Sequence, residues 1–203
     1  MADRLIGLYA LFLLAALAIA LGAATGMLPE LPKVILVVPL LVAVGLPMAL
    51  VVGKVLGDRF STLLPRGFTL KIEPLLFSLR VLADSPLVLF GTALLGLLNH
   101  ALIVVGVIAS AHVLGAELRM LDHWILDPLA LTLNAVPLSP GGLGLAEGAF
   151  SYLYELVGSD QGAAVGVLSR AIQYFVFVGA GLLALLRSGR ARLKDPIASE
   201  GVG

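Results

Sequence analysis

The segment that decides the fold reads Leu131-Thr-Leu-Asn-Ala-Val-Pro-Leu-Ser-Pro-Gly-Gly-Leu-Gly-Leu-Ala-Glu-Gly-Ala-Phe150. Its prolines and its cluster of glycines break a helix. The apolar arms on either side, Trp124–Val136 and Leu143–Val157, are each about 20 Å long at helical rise. Neither arm can cross about 30 Å of hydrocarbon. The pattern therefore predicts a re-entrant helical hairpin over residues 124–157 that enters and leaves the membrane on the same side.

The composition of the rest of the chain fits a membrane protein. Of its 203 residues 60% are hydrophobic and 13% are charged, whereas soluble domains carry about 25% charged residues. We predict an all-α, polytopic helical membrane protein, with a single transmembrane domain over residues 1–187 and a cytoplasmic tail over residues 188–203. The four predicted transmembrane helices are 5–28, 34–56, 86–114 and 162–186. For the first of them a cleaved signal peptide is the alternative, which is disfavoured because the apolar run exceeds the usual h-region of about 7–15 residues.

The basic residues predict the orientation of the chain. The linker Gly57–Ser85 should form an interfacial amphipathic helix, because apolar side chains in it share one helical face. The positive-inside rule places this linker in the cytoplasm. Both termini of a multi-pass protein in the cytoplasmic membrane then become cytoplasmic as well. The apolar face consists of Phe68, Ile72, Leu75, Leu76, Leu79 and Ala83, and the basic residues of the linker are Arg59, Arg66, Lys71 and Arg80.

The tip of the hairpin has the chemistry of an anion site. The second arm should begin at about Gly142–Leu143, and the first N–H groups of a helix have no partner within it. They lie at the positive end of the helix dipole, and a glycine-rich lead-in lets a ligand approach the backbone. Such a terminus suits a phosphate, although a break buried only for packing is the alternative. The candidate ligand-binding residues at the tip are Ser139, Gly141, Gly142 and Gly144.

Two charges at membrane depth complete the predicted site. A carboxylate in lipid is costly and is usually paired, so we predict that Glu147 pairs with Arg170 of the last span. The alternative is a pair that only locks the hairpin to that span. His100 could relay protons or form a helix–helix hydrogen bond, and the glycines of Gly162-Ala-Ala-Val-Gly166 should serve packing within the chain. The auxiliary candidates are Asn99, His100, Asn134 and Gln173.

These residues also carry a family resemblance. Pro137-Leu-Ser-Pro-Gly-Gly-Leu-Gly-Leu-Ala-Glu147, a short helix, Gly158 and a final span with Arg170 resemble the lysylphosphatidylglycerol synthase transmembrane-region family. That family includes the flippase domain of the multiple-peptide-resistance factor. The resemblance implies lipid handling but not lipid synthesis, because the soluble aminoacyl-transferase domain of some relatives is absent from this chain. The family often has arginine before the motif's glutamate. Here that position is Ala146, which weakens a phosphate clamp that relies on the arginine. Relatives are usually longer, so we expect a short member or the C-terminal part of a longer one.

The favoured function is translocation of an anionic phospholipid or a polyprenyl-phosphate-linked lipid. The alternatives are a membrane-embedded glycosyl or lipid-headgroup transferase and a non-catalytic partner of such an enzyme.

We predict no catalytic residue, no metal site and no cofactor, because the chain has no P-loop, DxD, HExxH or cysteine. The carboxylates and the imidazole of Asp122, His123 and Asp127 are explained by a solvated loop. The expected partners are membrane lipids, with a neighbouring lipid-modifying enzyme or a homo-oligomer as further options. The net charge of zero gives no case for nucleic acid.

Overall fold

A computed structural model describes residues 2–63, 86–135 and 144–194. These residues form six α-helices and one short 3₁₀ turn, with no strand in the described part of the chain. The all-α class predicted from the sequence is therefore confirmed. The helices are α1 (Ala2–Thr25), α2 (Lys33–Leu63), α3 (Pro86–Val113), α4 (Met120–Thr132), α5 (Leu145–Glu155) and α6 (Gly162–Lys194), and the 3₁₀ turn Leu133–Ala135 follows α4.

Three of these helices are long and apolar enough to cross a membrane. They contain the stretches Ile6–Thr25, Phe90–Val113 and Gly162–Leu186, whose positions match three of the four predicted spans. In α2 the apolar stretch Lys33–Met48 is shorter, although the helix itself continues through Pro39 and Pro47. The chain is thus a helical membrane protein with at least three candidate spans.

Two helices extend beyond the predicted span ends. Residues 57–63, predicted as the start of the linker, are the last turns of α2, and α6 continues from Leu186 to Lys194. The reason is that a charged residue marks the edge of a membrane without ending a helix, since lysine and arginine are good helix formers. The rest of the predicted interfacial helix, residues 64–85, lies outside the described residues, as do residues 195–203 of the predicted tail.

Helix α1 is the centre of the bundle. Of its candidate span 44% is buried, compared with 11% for that of α3 and 6% for that of α6. It packs against α2, α3 and α4. Small residues let neighbouring backbones approach closely in membrane bundles, and α1 buries four alanines, namely Ala10, Ala15, Ala16 and Ala18.

Helices α4 and α5 form the predicted hairpin. They are antiparallel, because Tyr154 near the end of α5 bonds to Asp127 in α4, while Arg170 joins Asn134, after α4, to Glu147 at the start of α5. The hairpin therefore enters and leaves at one end of the bundle. Its connecting residues, 136–143, lie outside the described residues.

The first arm of the hairpin begins earlier than predicted. Helix α4 starts at Met120 rather than at Trp124, because the Asp122 carboxylate accepts the backbone N–H of Arg119 at 3.2 Å. This bond satisfies one of the donors that a helix start leaves without a partner. The Arg119 guanidinium also donates to Asp122 and to the carbonyl of Met27, so the start of the hairpin is fixed beside the end of α1.

The second arm packs closely on α6 through two glycines. A Cβ atom at Gly162 would overlap the carbonyl group of Phe150, and one at Gly166 would lie 2.9 Å from the Phe150 ring and 3.4 Å from the Cα of Glu147. The predicted packing role of the Gly162–Gly166 pair within the chain is thus confirmed. This close approach brings Glu147 to α6.

Candidate functional site

The site is built around an ion pair between α5 and α6. Arg170 donates from Nε to Glu147 Oε1 at 2.9 Å, and the two side chains keep only 11% and 14% of their surface exposed. Arg170 also donates from Nη2 to Asn134 Oδ1 at 2.7 Å. The pairing predicted from the sequence is therefore present. It joins three segments, namely the 3₁₀ turn after α4, the start of α5 and the first third of α6.

The second oxygen of Glu147 caps its own helix. The backbone N–H of Gly144 donates to Glu147 Oε2 at 2.7 Å. Gly144 is the N-cap residue, with a φ of +88° that L side chains rarely adopt. The carboxylate lies in the first turn of α5, where the helix dipole favours a negative charge.

A cavity of about 180 Å³ lies beside the ion pair. Arg170 contributes the charged part of its wall, and the amides and hydroxyls of other residues contribute polar atoms. Pockets for drug-sized ligands are larger, about 300–1,000 Å³, so this cavity has room only for a small group. The lining residues are Leu131, Asn134, Phe150, Gly166, Ser169, Arg170, Gln173 and Tyr174.

The structure brings together part of the predicted set. Asn134 and Arg170 meet in the ion-pair network, Gln173 lines the cavity, and Gly144 and Glu147 lie at the start of α5. Ser139, Gly141 and Gly142 lie outside the described residues.

Two auxiliary candidates lie elsewhere. Asn99 is exposed on α3, and His100 is half-buried, with its ring opposite Gly7 of α1. Neither residue lines the cavity. His100 Nδ1 is buried without a hydrogen-bond partner among the described residues. The structure therefore gives no support for placing Asn99 or His100 in this site.

Some cavity residues were not singled out from the sequence. Tyr174 follows Arg170 by one helical turn, so helical spacing from Arg170 could have found it, whereas Ser169 is adjacent to Arg170 in sequence and helical spacing does not indicate it. Leu131 and Phe150 carried no polar signal. The Ser169 hydroxyl donates to the Gly166 carbonyl of its own helix.

The prediction for a second polar cluster, His123 and Asp127, was wrong. His123 and Asp127, assigned to a solvated loop, lie in α4 and are 3% and 0% exposed. His123 Nδ1 lies 3.0 Å from Asp127 Oδ2, and Tyr154 of α5 donates to Asp127 Oδ1 at 2.9 Å. The solvated-loop interpretation was wrong because α4 begins before these residues and turns them toward α5.

The third residue of that sequence group belongs to a different contact. Asp122 is buried but pairs with the guanidinium of Arg119, which is more than half exposed. The hydrogen bonds and the charge of Asp122 raise the pKa of Arg119, so Arg119 stays protonated. This pair therefore fixes the entrance of the hairpin and lies apart from the cavity.

Comparisons with known proteins agree with this arrangement. A search of curated proteins and a search of solved structures each returned no match. The family described as "Lysylphosphatidylglycerol synthase TM region" matches residues 1–181, which include every described residue of the hairpin and of the ion-pair site. The chain therefore belongs to the lysylphosphatidylglycerol synthase transmembrane-region family.

Proposed function

We propose that this protein moves an anionic lipid across the bilayer, by holding the phosphate of its headgroup in the cavity beside Arg170. The lipid is an anionic phospholipid or a polyprenyl-phosphate-linked lipid. The protein works in the cytoplasmic membrane, with both termini in the cytoplasm. The observation that carries the proposal is a guanidinium in the wall of a small cavity, lined by both polar and apolar side chains, between the α4–α5 hairpin and α6.

The depth of the site supports the proposal. Arg170 is eight residues from the start of α6 at Gly162, which is about 12 Å at helical rise. A charge at that depth is costly and marks a pathway more often than a fold requirement. The cavity takes a headgroup while the acyl chains remain in the bilayer beside the exposed apolar faces of α3 and α6.

The Glu147 carboxylate supplies the exchange step. It occupies two donors that would otherwise bind an anion, the Arg170 guanidinium and the Gly144 amide. A headgroup phosphate that enters the cavity competes with the carboxylate for these donors, and the carboxylate takes them back when the lipid leaves. The empty site is then neutral and inexpensive in the membrane, and binding is weak enough for release.

A vesicle assay tests the proposal. The purified chain is incorporated into vesicles containing headgroup-labelled phosphatidylglycerol or labelled polyprenyl phosphate, and the loss of the outer-leaflet label follows lipid movement. We expect exchange faster than in protein-free vesicles, reduced at least about tenfold by Arg170→Ala, since that change removes more than about 1.4 kcal/mol of interaction. Glu147→Gln should also slow exchange.

The matched control is Glu155→Gln, because Glu155 is a glutamate of the same helix whose exposed side chain bonds, among the described residues, only to Ser151. This variant should retain the wild-type rate. Exchange no faster than in empty vesicles with both lipids, or Arg170→Ala at the wild-type rate, would overturn the proposal. Conversion of either lipid by the detergent-solubilised chain would favour the transferase alternative.

A further inference from the structure

The buried cluster of His123, Asp127 and Tyr154 has no role in the lipid site. It lies between α4 and α5, and all three residues are 3% exposed or less. The Tyr154 hydroxyl lies 2.9 Å from Asp127 Oδ1 and 3.2 Å from His123 Nδ1. The imidazole and phenol rings meet edge to face at 5.8 Å. The three side chains therefore form one connected network.

The hydrogen bonds define where the protons lie. Both oxygens of Asp127 have a nitrogen or hydroxyl donor within 3.0 Å. When the Asp127 carboxyl is ionised it only accepts hydrogen bonds, and the Tyr154 hydroxyl then donates to one oxygen while the N–H at Nδ1 of His123 donates to the other. In this arrangement the second nitrogen of the imidazole is the position that gains or loses a proton.

The charge of the cluster then depends on that nitrogen. With a neutral imidazole the cluster carries one uncompensated negative charge, which is expensive in a buried site. With a protonated imidazole the network is a neutral ion pair with its hydrogen bonds made. No other cation offsets the charge among the described residues, because Arg119 pairs with Asp122 and Arg170 pairs with Glu147.

Other titratable side chains lie on the helices packed around the cluster, but they do not bond to it in the described part of the chain. None forms a hydrogen bond or an ion pair with the three residues in the described part of the chain. They are Tyr9 of α1, His100 and His112 of α3, Glu147, Tyr152 and Glu155 of α5, and Arg119 and Asp122 at the start of α4. A proton taken up by the cluster therefore changes the net charge of this interface alone.

We infer that His123, Asp127 and Tyr154 form a proton-binding site, and that the bound proton holds α4 against α5. The ligand is a proton shared by the His123–Asp127 pair. The proton-bound, neutral form is the one that tolerates burial, so packing of the hairpin weakens as the pH rises. This inference goes beyond the proposed lipid movement and does not depend on it.

Histidine NMR measures the proton directly. The chain has only three histidines, so ¹⁵N-histidine signals of the full chain in lipid nanodiscs can be assigned with His100→Gln and His112→Gln. We expect the His123 signal to show the proton-bound form of the pair at low pH and its loss as the pH rises. Asp127→Asn should move the midpoint of this loss to lower pH, because it removes the counter-charge.

Spin labels measure the packing. The chain has no cysteine, so a Met120→Cys, Tyr152→Cys pair can be labelled at two exposed positions, one on each arm. The distance distribution should be narrow below the midpoint and broader above it. In a His123→Gln background it should not respond to pH, whereas the control His112→Gln, at an exposed position of α3, should behave as the wild type.

Each outcome supports or overturns the inference. A His123 signal in one form from about pH 5 to about pH 9 overturns the proton site, and titration of His123 with unchanged label distances overturns its effect on packing. If His123→Gln does not fold, Tyr154→Phe keeps the ring, and it should retain the titration with a displaced midpoint. Lipid exchange is not measured in these experiments, so a failure of the proposed function would leave their result unaffected.

Discussion

Removing the charge of Glu147 should destabilise the protein by at least as much as removing both charges of the ion pair. The pair is short, with 2.9 Å between Arg170 Nε and Glu147 Oε1, and mostly buried. Breaking a buried pair by changing one partner costs about 3–5 kcal/mol. Because 11% and 14% of the two side chains remain exposed, we expect about 3 kcal/mol for Glu147→Gln and for Arg170→Gln, the lower end of that range.

The double variant Glu147→Gln, Arg170→Gln should lose no more than about 3 kcal/mol, well below the sum of about 6 kcal/mol for the two single variants, because neither charge is then left unpaired. The free energy of unfolding can be measured by titrating mixed micelles with SDS. Fluorescence of Trp124, the single tryptophan, follows the hairpin. Losses in the double variant that equal the sum of the single losses within about 0.5 kcal/mol would show that the two charges do not interact. Glu155→Gln, an exposed change, should stay within about 0.5 kcal/mol of the wild type.

Four further substitutions have opposite or graded expectations. Gly162→Ala should lower the thermal midpoint by forcing α5 and α6 apart, at a cost of about 1–3 kcal/mol, whereas Gly181→Ala on the same helix has open space and should be neutral or stabilising by up to about 1 kcal/mol. Gly144→Ala should cost about 1–2 kcal/mol in a denaturation assay, because the φ of +88° at this cap is strained for an L side chain. Asp122→Ala should cost about 1–2 kcal/mol and speed hydrogen exchange in the first turn of α4, since Arg119 loses its acceptor. Exchange in that turn as slow as in the wild type would show that the cap does not hold the helix start.

Where the membrane itself imposes a constraint, the sequence was informative. The two arms of the hairpin are too short to cross the bilayer, and this fact alone predicted that they return to the same side. A carboxylate and a guanidinium at membrane depth have few options other than each other, so Glu147 and Arg170 could be paired from sequence. The spacing of Gly162 and Gly166 indicated close helix packing, because two glycines one turn apart leave one helical face without side chains.

Features that depend on tertiary packing were missed or displaced. The start of α4 depends on the bond between Asp122 and the Arg119 backbone, which a search for apolar runs does not detect. The burial of Asp127 depends on Tyr154, which is 27 residues away in the chain. Asn99 was grouped with the site because of its depth along a span. Depth does not specify the direction in which a helix face points, and the structure places Asn99 on an exposed face.

The hairpin contributes to two polar clusters, the His123–Asp127–Tyr154 network and the ion-pair network of Asn134, Glu147 and Arg170. Helix packing couples these clusters more strongly than their charges do. Asp127 and Asn134 are seven residues apart, which is about 10 Å at helical rise, and the apolar side chains of Leu131 and Phe150 fill the level between them. Two unit charges at about 10 Å interact by about 1.7 kcal/mol at an effective dielectric constant of about 20. A complete switch between two conformations needs about 5.5 kcal/mol of differential binding. A proton bound by the His123–Asp127 pair can therefore influence the cavity beside Arg170 only by changing how α4 and α5 pack. A larger side chain at Leu131 should then alter lipid exchange and its pH dependence together.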